Sequence, residues 1–250
     1  MSLLGVQRHG SGPLLVWLHG FTQTKDSAHQ FRSILAGTNE LLTLDLPGHG
    51  ENASISASLD ETAEMLAEVL PKEPFDLGGY SFGARVALHF ALRFPDRLNV
   101  LVLLGASRGI EDLTEREDRR RSDDALAQRV EEIGADAFLD EWLSREMFAS
   151  LPHDARERAA RSTDALGLAN SLRCAGTGTQ RWLGPELATL SNPVVTVAGE
   201  LDLKFSLEAQ SIADAVADGK AVFVPDAHHA AHLERPESTA SHVQGFIRRS

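Results

Sequence analysis

The stretch Gly79-Tyr80-Ser81-Phe82-Gly83 separates a short apolar run from a run of helix-forming residues. A strand that turns sharply into a helix needs small residues where the two backbones nearly collide. The glycines two positions before and two positions after the serine meet that need. Such a turn holds the serine hydroxyl exposed at the end of the strand, and the helix N-terminus behind it favours negative charge. The stretch therefore predicts a reactive serine at a strand–turn–helix junction.

Short apolar runs alternate with amphipathic segments along most of the 250-residue chain. Unbroken apolar runs are typical of strands buried on both faces, and their alternation with helices predicts a mostly parallel sheet flanked by helices. The predicted strands are residues 14–18, 41–44, 75–78, 99–104, 193–198 and 220–224, and the predicted helices include 25–36, 59–70, 84–92 and 236–247. The sequence therefore predicts an α/β fold.

Residues 110–187 interrupt this alternation, because they contain no strand-like run and are charged and helical in pattern. The sheet resumes after them, so we interpret them as a helical cap insert rather than as a second independent domain. The predicted organisation is a core domain of residues 1–109 and 188–250, with residues 110–187 folded over the C-terminal edge of its sheet.

The composition narrows the classes of partner. A hydrophobic content of 42% supports one large core. The net charge of −12 argues against nucleic acid or an anionic membrane surface as partner. Cys174 is the only cysteine, which suits a reducing compartment, and no signal-peptide pattern or membrane-spanning apolar stretch is present. We therefore expect a cytoplasmic protein with a small-molecule ligand.

A reactive serine needs a histidine to take its proton and a carboxylate to orient that histidine. In a parallel sheet, both partners should lie in loops after later strands. Asp202 follows the strand at 193–198 and is preferred to Glu200 as the carboxylate. Three histidines follow the last predicted strand and remain candidates from position alone: His228, His229 and His232.

Two further features of these loops concern anions and metals. The backbone amides of Phe82, directly after the serine, and of Phe21, after the first strong strand, are the predicted oxyanion hole. The spacing of His229 and His232 could present two metal ligands on one helix face. No matching Cys/His set or acidic cluster occurs elsewhere, so we expect no metal.

Several motifs together resemble the α/β-hydrolase superfamily, whose order of Ser, Asp and His this chain shares. The motifs are His19-Gly20, Asp45-x-Pro47-Gly48-His49-Gly50, Gly79-x-Ser81-x-Gly83, Gly199-Glu200-x-Asp202 and His229-x-x-His232-x-Glu234-x-Pro236. The resemblance implies an α/β-hydrolase fold and favours His229 as the catalytic histidine.

More specific motifs are similar to the MenH family, the 2-succinyl-6-hydroxy-2,4-cyclohexadiene-1-carboxylate synthases of menaquinone biosynthesis. They include Arg85 after the serine, the run at 116–123, segments around 138–151 and 171–180, and residues 202–205. The resemblance implies a catalytic triad of Ser81, Asp202 and His229. It also implies carboxylate binding by Arg85, Arg119 and Arg161, with Tyr80 and Trp142 lining the pocket.

Two residues depart from the family pattern. His228 stands where the family usually has glycine, which bears on the choice between His228 and His229, and Ala84 replaces a frequent glycine. The arginines at 119–121 could instead form a solvated helix face paired with neighbouring carboxylates, and we expect this of two of the three.

The resemblance implies a lyase that eliminates pyruvate from 2-succinyl-5-enolpyruvyl-6-hydroxy-3-cyclohexene-1-carboxylate. Ser81, activated by His229, would act as a base, without a metal or organic cofactor. Two alternatives use the same fold. One is a serine esterase or related acyl hydrolase that works through an acyl-serine. The other is a non-catalytic receptor, against which the intact set of Ser81, Asp202 and His229 argues.

Overall fold

The computed structural model describes residues 5–248, which contain a seven-stranded sheet in the order β1-β3-β2-β4-β5-β6-β7. The strands are β1 (Gln7–His9), β2 (Leu14–Leu18), β3 (Glu40–Leu44), β4 (Phe75–Tyr80), β5 (Leu98–Leu104), β6 (Val194–Gly199) and β7 (Gly219–Val224). β1 pairs antiparallel with β3, and every other neighbouring pair is parallel. The predicted α/β fold with a mostly parallel sheet is therefore confirmed.

Nine α-helices and four 3₁₀ helices accompany the strands within these residues. The α-helices are α1 (His29–Ala36), α2 (Leu59–Val69), α3 (Phe82–Arg93), α4 (Leu113–Leu143), α5 (Ala155–Ala159), α6 (Ala165–Ala175), α7 (Leu203–Ala215), α8 (Ala231–Glu234) and α9 (Pro236–Ile247). The 3₁₀ helices are Gly50–Asn52, Pro95–Arg97, Glu146–Phe148 and Gly184–Thr189. No helix among them is long and apolar enough to cross a membrane.

The sheet separates two apolar clusters, as expected for strands buried on both faces. Val16 and Leu18 of β2 pack with residues of α2 and α3 on one side. Leu15 and Trp17, which alternate with them along the strand, pack with residues of α1 and α9 on the other. This double burial explains why β2 appears in the sequence as an unbroken apolar run.

Two glycines allow β4 and α3 to meet at a sharp turn. A Cβ added at Gly79 would lie 2.5 Å from the backbone of Gly83, and one added at Gly83 would lie 2.4 Å from the carbonyl oxygen of Leu18. Neither position has room for a side chain, so the small residues on both sides of Ser81 are a steric requirement.

The region from the end of β5 to the start of β6 contains α4, α5, α6 and two of the 3₁₀ helices, and no strand. α4 bends at Gly134, whose backbone has φ 80° and ψ 164°. The two arms of α4 pack against α6 through a separate apolar cluster that includes Val130, Phe138 and Leu168. The predicted boundaries of core and cap remain a prediction, and residues 1–4 and 249–250 of that core lie outside the described residues.

Two local differences from the sequence-based expectations have simple causes. β1 was not predicted, because it is only three residues long, polar and largely exposed at the sheet edge. The helix predicted over 25–36 begins at His29, since Ala28 before it adopts a left-handed conformation with φ 57°. Residues 25–28 form a turn that belongs to the loop after β2.

Candidate active site

Ser81 lies in the turn between β4 and α3 with a strained backbone, at φ 51° and ψ −103°. Positive φ is unfavourable for a residue with a side chain, and such strain persists only where the surroundings enforce it. Here the Ser81 backbone N–H donates to the carbonyl oxygen of Leu104 at 2.8 Å, which ties the turn to β5. The strain presents the hydroxyl to the space above the sheet.

Three side chains from distant parts of the chain form one hydrogen-bonded line. His229 Nε2 lies 3.0 Å from Ser81 Oγ, and His229 Nδ1 lies 2.8 Å from Asp202 Oδ2. The carboxylate accepts a hydrogen bond from His229 Nδ1–H, so Nε2 carries no proton and can accept the one from the serine hydroxyl. The structure therefore brings together the three residues that the sequence analysis selected as the triad.

Asp202 is held in place by the helix that it begins. Its Oδ1 accepts a hydrogen bond from the Phe205 backbone N–H at 3.3 Å and so caps α7, while Oδ2 orients His229. The Phe205 ring, with its centroid 4.2 Å from that of His229, also packs against the imidazole.

Two further residues position His229, and the sequence analysis did not assign a role to either. Glu234 accepts hydrogen bonds from the backbone N–H groups of His228 and Ala230, at 2.8 and 3.0 Å, and so braces the loop on both sides of His229. Gly105 has φ +61°, and a Cβ there would lie 3.0 Å from His229 Cε1. Glu234 belongs to one of the motifs shared with the α/β-hydrolase superfamily, which could have drawn attention to it. For Gly105, the only signal in the sequence is its position directly after a predicted strand.

His228 does not compete for the role of His229. Its Nδ1 lies 2.8 Å from Ser150 Oγ, a residue of the region between β5 and β6, and its backbone is bound by Glu234. His232 is buried behind Tyr80, with ring centroids 4.2 Å apart, and burial together with Arg161 lowers its pKa to about 3. Residues 5–248 contain no group of three or more His, Cys, Asp or Glu side chains suited to a metal ion.

The two amides predicted as an oxyanion hole belong to residues that line the space above Ser81. Neither the Phe21 nor the Phe82 amide donates to an acceptor within the described part of the chain. The Phe82 amide begins α3, where the helix dipole favours negative charge. Both amides are thus available to an oxyanion.

His49 supports the loop that carries Phe21. Its Nε2 accepts the backbone N–H of Thr22 at 3.2 Å, its Nδ1–H donates to Pro47 O at 3.0 Å, and its ring stacks on Phe82 with centroids 5.4 Å apart. Burial and the neighbouring His19 lower the His49 pKa to about 3. The imidazole is therefore neutral near pH 7, which it must be to accept the Thr22 N–H.

A cavity of about 510 Å³ opens above Ser81 between the loops of the sheet and the helical region after β5. Of the site residues selected from sequence, nine line it: Phe21, Tyr80, Ser81, Phe82, Arg85, Arg119, Trp142, Asp202 and His229. Arg161 does not line it. Two cationic residues that the sequence analysis did not select, Arg145 and Lys204, also line the cavity.

Arg85 is a buried cation that no carboxylate of the described residues contacts directly. Its Nη1 donates to the carbonyl oxygen of Ala175 at 2.8 Å and to Gln180 Oε1 at 3.4 Å. Within residues 5–248 no carboxylate oxygen lies within 4.0 Å of its nitrogens. Burial and the nearby Arg119 lower the Arg85 pKa to about 10, so the group stays charged at neutral pH. Asp123, which pairs with Arg119, offsets only part of this effect from a longer distance. A buried charge that no carboxylate contacts directly is costly to stability, which indicates a role in binding an anion.

The arginines at 119–121 divide between the cavity and the surface. Arg119 lines the cavity and donates through Nε to Asp123 at 2.8 Å, so the rest of its guanidinium is available to a ligand. Arg120 pairs with Glu117 and Arg121 with Asp118, both on the exposed face of α4. Two of the three thus form the solvated ion pairs expected from their spacing.

Arg161 lies against the loop that carries Phe21. It is buried, and its Nη1 donates to Thr22 Oγ1 at 2.6 Å. The next residue, Ser162, donates its backbone N–H to Thr22 O at 2.8 Å. The predicted role of Arg161 as a carboxylate binder therefore stays a prediction.

The two predicted aromatic residues line the cavity at different depths. Tyr80 is buried beside the triad, with its ring centroid 5.3 Å from that of His229. Trp142 is half-buried and packs edge-on against Phe21, with centroids 5.2 Å apart. The Arg145 guanidinium lies 4.3 Å from the Trp142 ring centroid.

Known proteins share both this sequence pattern and this fold. Residues 15–242 match the alpha/beta hydrolase family. The 2-succinyl-6-hydroxy-2,4-cyclohexadiene-1-carboxylate synthase of Serratia proteamaculans (strain 568) is 32% identical over 251 residues, covering 96% of this chain and 95% of that protein. The synthase of the same name from Yersinia pestis bv. Antiqua (strain Nepal516) is 30% identical over 250 residues, covering 96% and 89%.

The solved structure of MenH from S. aureus superposes with a TM-score of 0.92 at 28% sequence identity, covering 99% of each chain. Family match, full-length relatives and structural similarity agree with the motifs around Ser81. The chain therefore belongs to the alpha/beta hydrolase family and, within it, to the MenH family.

Proposed function

We propose that this chain eliminates pyruvate from 2-succinyl-5-enolpyruvyl-6-hydroxy-3-cyclohexene-1-carboxylate and so acts in menaquinone biosynthesis, as the names of its relatives suggest. The single observation that carries this proposal is Arg85, a buried guanidinium without a carboxylate partner in the described chain. It lies one helical turn after Ser81 and lines the same cavity. An ordinary ester substrate needs no such charge, whereas a substrate with several carboxylates does.

The bond changes follow from the names of substrate and product. A base removes the proton from ring carbon 2, and its electron pair forms the double bond between carbons 2 and 3. The former double bond between carbons 3 and 4 moves to carbons 4 and 5, and the bond from carbon 5 to oxygen breaks. Enolpyruvate leaves, takes up a proton at its methylene carbon and becomes pyruvate. The step is redox-neutral and consumes no water, so it balances without a co-reactant.

Ser81 and His229 are placed to move the proton. Ser81 Oγ takes it from ring carbon 2 while His229 Nε2, 3.0 Å away, accepts the hydroxyl proton. Asp202 stabilises the imidazolium that forms. The same imidazolium can then supply the proton that converts enolpyruvate to pyruvate.

The Phe21 and Phe82 amides suit the charge that develops. The proton on ring carbon 2 is adjacent to the ketone of the succinyl group, so its removal places negative charge on that ketone oxygen. Backbone amides aimed at such an oxygen in a partly closed site stabilise it without reorganisation. His49 maintains this arrangement through Thr22 and Phe82.

The substrate carries three carboxylates, which suits a cavity lined by several cations. Arg85 and Arg119 both line it, and a guanidinium can bind a carboxylate through two parallel hydrogen bonds. The cavity lining also contains Asp123, Glu146 and Asp202, of which Asp123 is paired with Arg119 and Asp202 with His229. In a protein of net charge −12, an excess of cations in one cavity supports an anionic substrate.

The test is pyruvate release from this substrate, followed by reduction of pyruvate with lactate dehydrogenase. Replacing Ser81→Ala should lower kcat by about 1000-fold or more, because the base is lost while the binding groups remain. Ser33→Ala, at an exposed serine of α1, is the matched control and should leave kcat unchanged. Rapid pyruvate release by the Ser81→Ala variant would exclude this mechanism.

Ester hydrolysis through an acyl-serine is the second candidate, because the geometry of Ser81, His229 and Asp202 also suits acyl transfer. An esterase should show a burst with p-nitrophenyl esters and an acyl adduct on Ser81 by mass spectrometry. If activated esters turn over well and no pyruvate is released from the cyclohexene substrate, hydrolysis replaces elimination as the proposed function.

A further inference from the structure

Arg145 is a cation at the cavity to which no role has yet been assigned. It lines the cavity, and within the described residues no carboxylate oxygen lies within 4.0 Å of its nitrogens. The nearby Glu141 is paired with Arg129 through hydrogen bonds of 2.5 and 3.2 Å. Glu141 therefore acts on Arg145 only through its charge at longer range, and the Arg145 guanidinium makes no direct contact with a carboxylate of the described residues.

Trp142 holds the Arg145 side chain in a defined position. The guanidinium lies over the indole at 4.3 Å from the ring centroid, which is within the range of a cation–π contact. Trp142 itself packs against Phe21, Phe138 and Phe148, with ring centroids 5.2 to 6.0 Å apart. A long side chain that is already ordered loses less conformational freedom when it binds a ligand.

Arg119 lines the same cavity as Arg145 and Arg85. The positive charge of Arg119 contributes to lowering the pKa of both other guanidinium groups, which places it close enough to each for repulsion. Asp123, which pairs with Arg119 Nε, offsets part of this repulsion at Arg85, whereas no carboxylate of the described residues contacts Arg145. The repulsion between Arg119 and Arg145 is therefore unfavourable in the free protein. An anion between them would remove that repulsion.

We propose that Arg145, held over Trp142, is a further substrate-binding residue and forms an outer carboxylate subsite with the predicted binder Arg119, distinct from the inner subsite at Arg85. The cavity would then select acids with at least two separated carboxylates, one bound at Arg85 and another between Arg119 and Arg145. This inference rests on the proposed function for the identity of the natural substrate, but the subsite itself can be tested by binding alone.

The experiment measures binding of simple acids by titration calorimetry at low ionic strength. The ligands are the straight-chain dicarboxylates from succinate to pimelate, each matched with the monocarboxylate of equal length. We expect at least one dicarboxylate to bind wild-type protein about tenfold more tightly than its monocarboxylate partner. Equal affinities throughout the series would overturn the outer subsite.

The decisive variant is Arg145→Gln, with Arg121→Gln as a control that removes the same charge from an exposed position of α4. Arg145→Gln should weaken the best dicarboxylate about tenfold and the monocarboxylate less than about twofold. Arg121→Gln should change neither. If both variants behave alike, long-range charge rather than a subsite explains the binding.

Two further measurements keep the outcome interpretable. Thermal unfolding of Arg145→Gln should match wild type, and Arg145→Lys should keep part of the dicarboxylate preference because it retains the charge without the planar fork. Loss of dicarboxylate preference in Arg145→Gln without pyruvate release by wild type would support the subsite and refute the lyase. Pyruvate release with unchanged dicarboxylate binding by Arg145→Gln would refute the subsite and support the lyase.

Discussion

The floor and the roof of the cavity are built differently. The floor comprises Ser81, Asp202, His229 and the Phe21 loop, which follow strands of the sheet. The roof comprises Arg119, Trp142 and Arg145, which belong to α4 and the residues just after it. Floor side chains are enclosed, with His229 only 2% and Asp202 11% exposed, whereas the Arg119 side chain is 35% exposed.

Under the proposed function, this difference assigns proton transfer to the floor and substrate selection to the roof. Asp202 is held by the hydrogen bond with which it caps α7, and His229 by the hydrogen bonds from Glu234 that brace its loop. Proton transfer needs that precision, because small displacements of reacting groups cost large factors in rate. The roof offers charge on long side chains, which suits recognition of carboxylates at the ends of a flexible substrate.

Arg85 links the floor and the roof. Of the substitutions at Arg85, Gly105 and His49, we expect the one at Arg85 to lower activity most. It belongs to α3, the helix that follows Ser81, and its guanidinium donates hydrogen bonds to Ala175 at the end of α6 and to Gln180. Arg85→Gln should lower kcat/KM for pyruvate release about 100-fold, because a desolvated charge–carboxylate contact is lost. Unfolding in urea should be unchanged or shifted to higher denaturant, since a buried unpaired charge is removed.

Arg97→Gln is the matched control for Arg85, because this guanidinium serves only the fold. It donates to the carbonyl oxygens of Ala67 and Leu70 at 2.8 and 2.9 Å, at the far end of α3 from Ser81. This control should lower stability and leave kcat/KM unchanged. If Arg85→Gln instead destabilises the protein and retains full activity, Arg85 is structural and the carboxylate proposal loses its main support.

A substitution at Gly105 tests how strongly kcat depends on the position of the His229 imidazole. Gly105→Ala should lower kcat at least about tenfold, because the added Cβ meets His229 Cε1 at 3.0 Å and displaces the imidazole. The left-handed backbone at φ +61° should also reduce stability by about 1 kcal/mol. Steady-state kinetics and urea unfolding measure the two effects separately.

Gly245→Ala serves as the control, because it should raise stability rather than lower it and should leave kcat unchanged. Gly245 lies within α9, and a Cβ there would meet nothing within 4 Å. The substitution should stabilise the protein by up to about 1 kcal/mol through helix propensity and should not change kcat. A Gly105→Ala enzyme with wild-type kcat would show that the floor tolerates movement of His229.

The floor was largely predictable from sequence because its groups have local signatures. Ser81 stands between two glycines that the turn requires, and Asp202 and His229 each follow an apolar strand. The contacts that hold His229 in position could not be predicted from the sequence. Gly105 and Glu234 act on His229 through contacts that form only when separate loops meet.

The roof was less predictable, because its geometry depends on packing between helices. The bend of α4 at Gly134 and the contact of its second arm with α6 bring Arg145 to the cavity, and no local pattern distinguishes it from the exposed arginines around it. Arg161 illustrates the same limit. Its place against Thr22 depends on how the segment before α6 meets the loop after β2.

His49 provides the last test, which concerns the acid stability of the floor. With a folded pKa of about 3 against an ordinary value of 6.5, His49 takes up a proton in the unfolded chain first as pH falls. Its contribution to stability is therefore fully present above about pH 6.5 and is lost as pH falls towards 3.

Between pH 7 and 5, the unfolding free energy of wild type should lose about 2 kcal/mol more than that of His49→Gln. Urea unfolding at both pH values measures the difference, with exposed His242→Gln expected to follow wild type. A parallel loss in wild type and His49→Gln would mean that protonating His49 costs no more in the folded protein than in the unfolded chain. The loop that carries Phe21 would then not depend on the Thr22–His49 hydrogen bond.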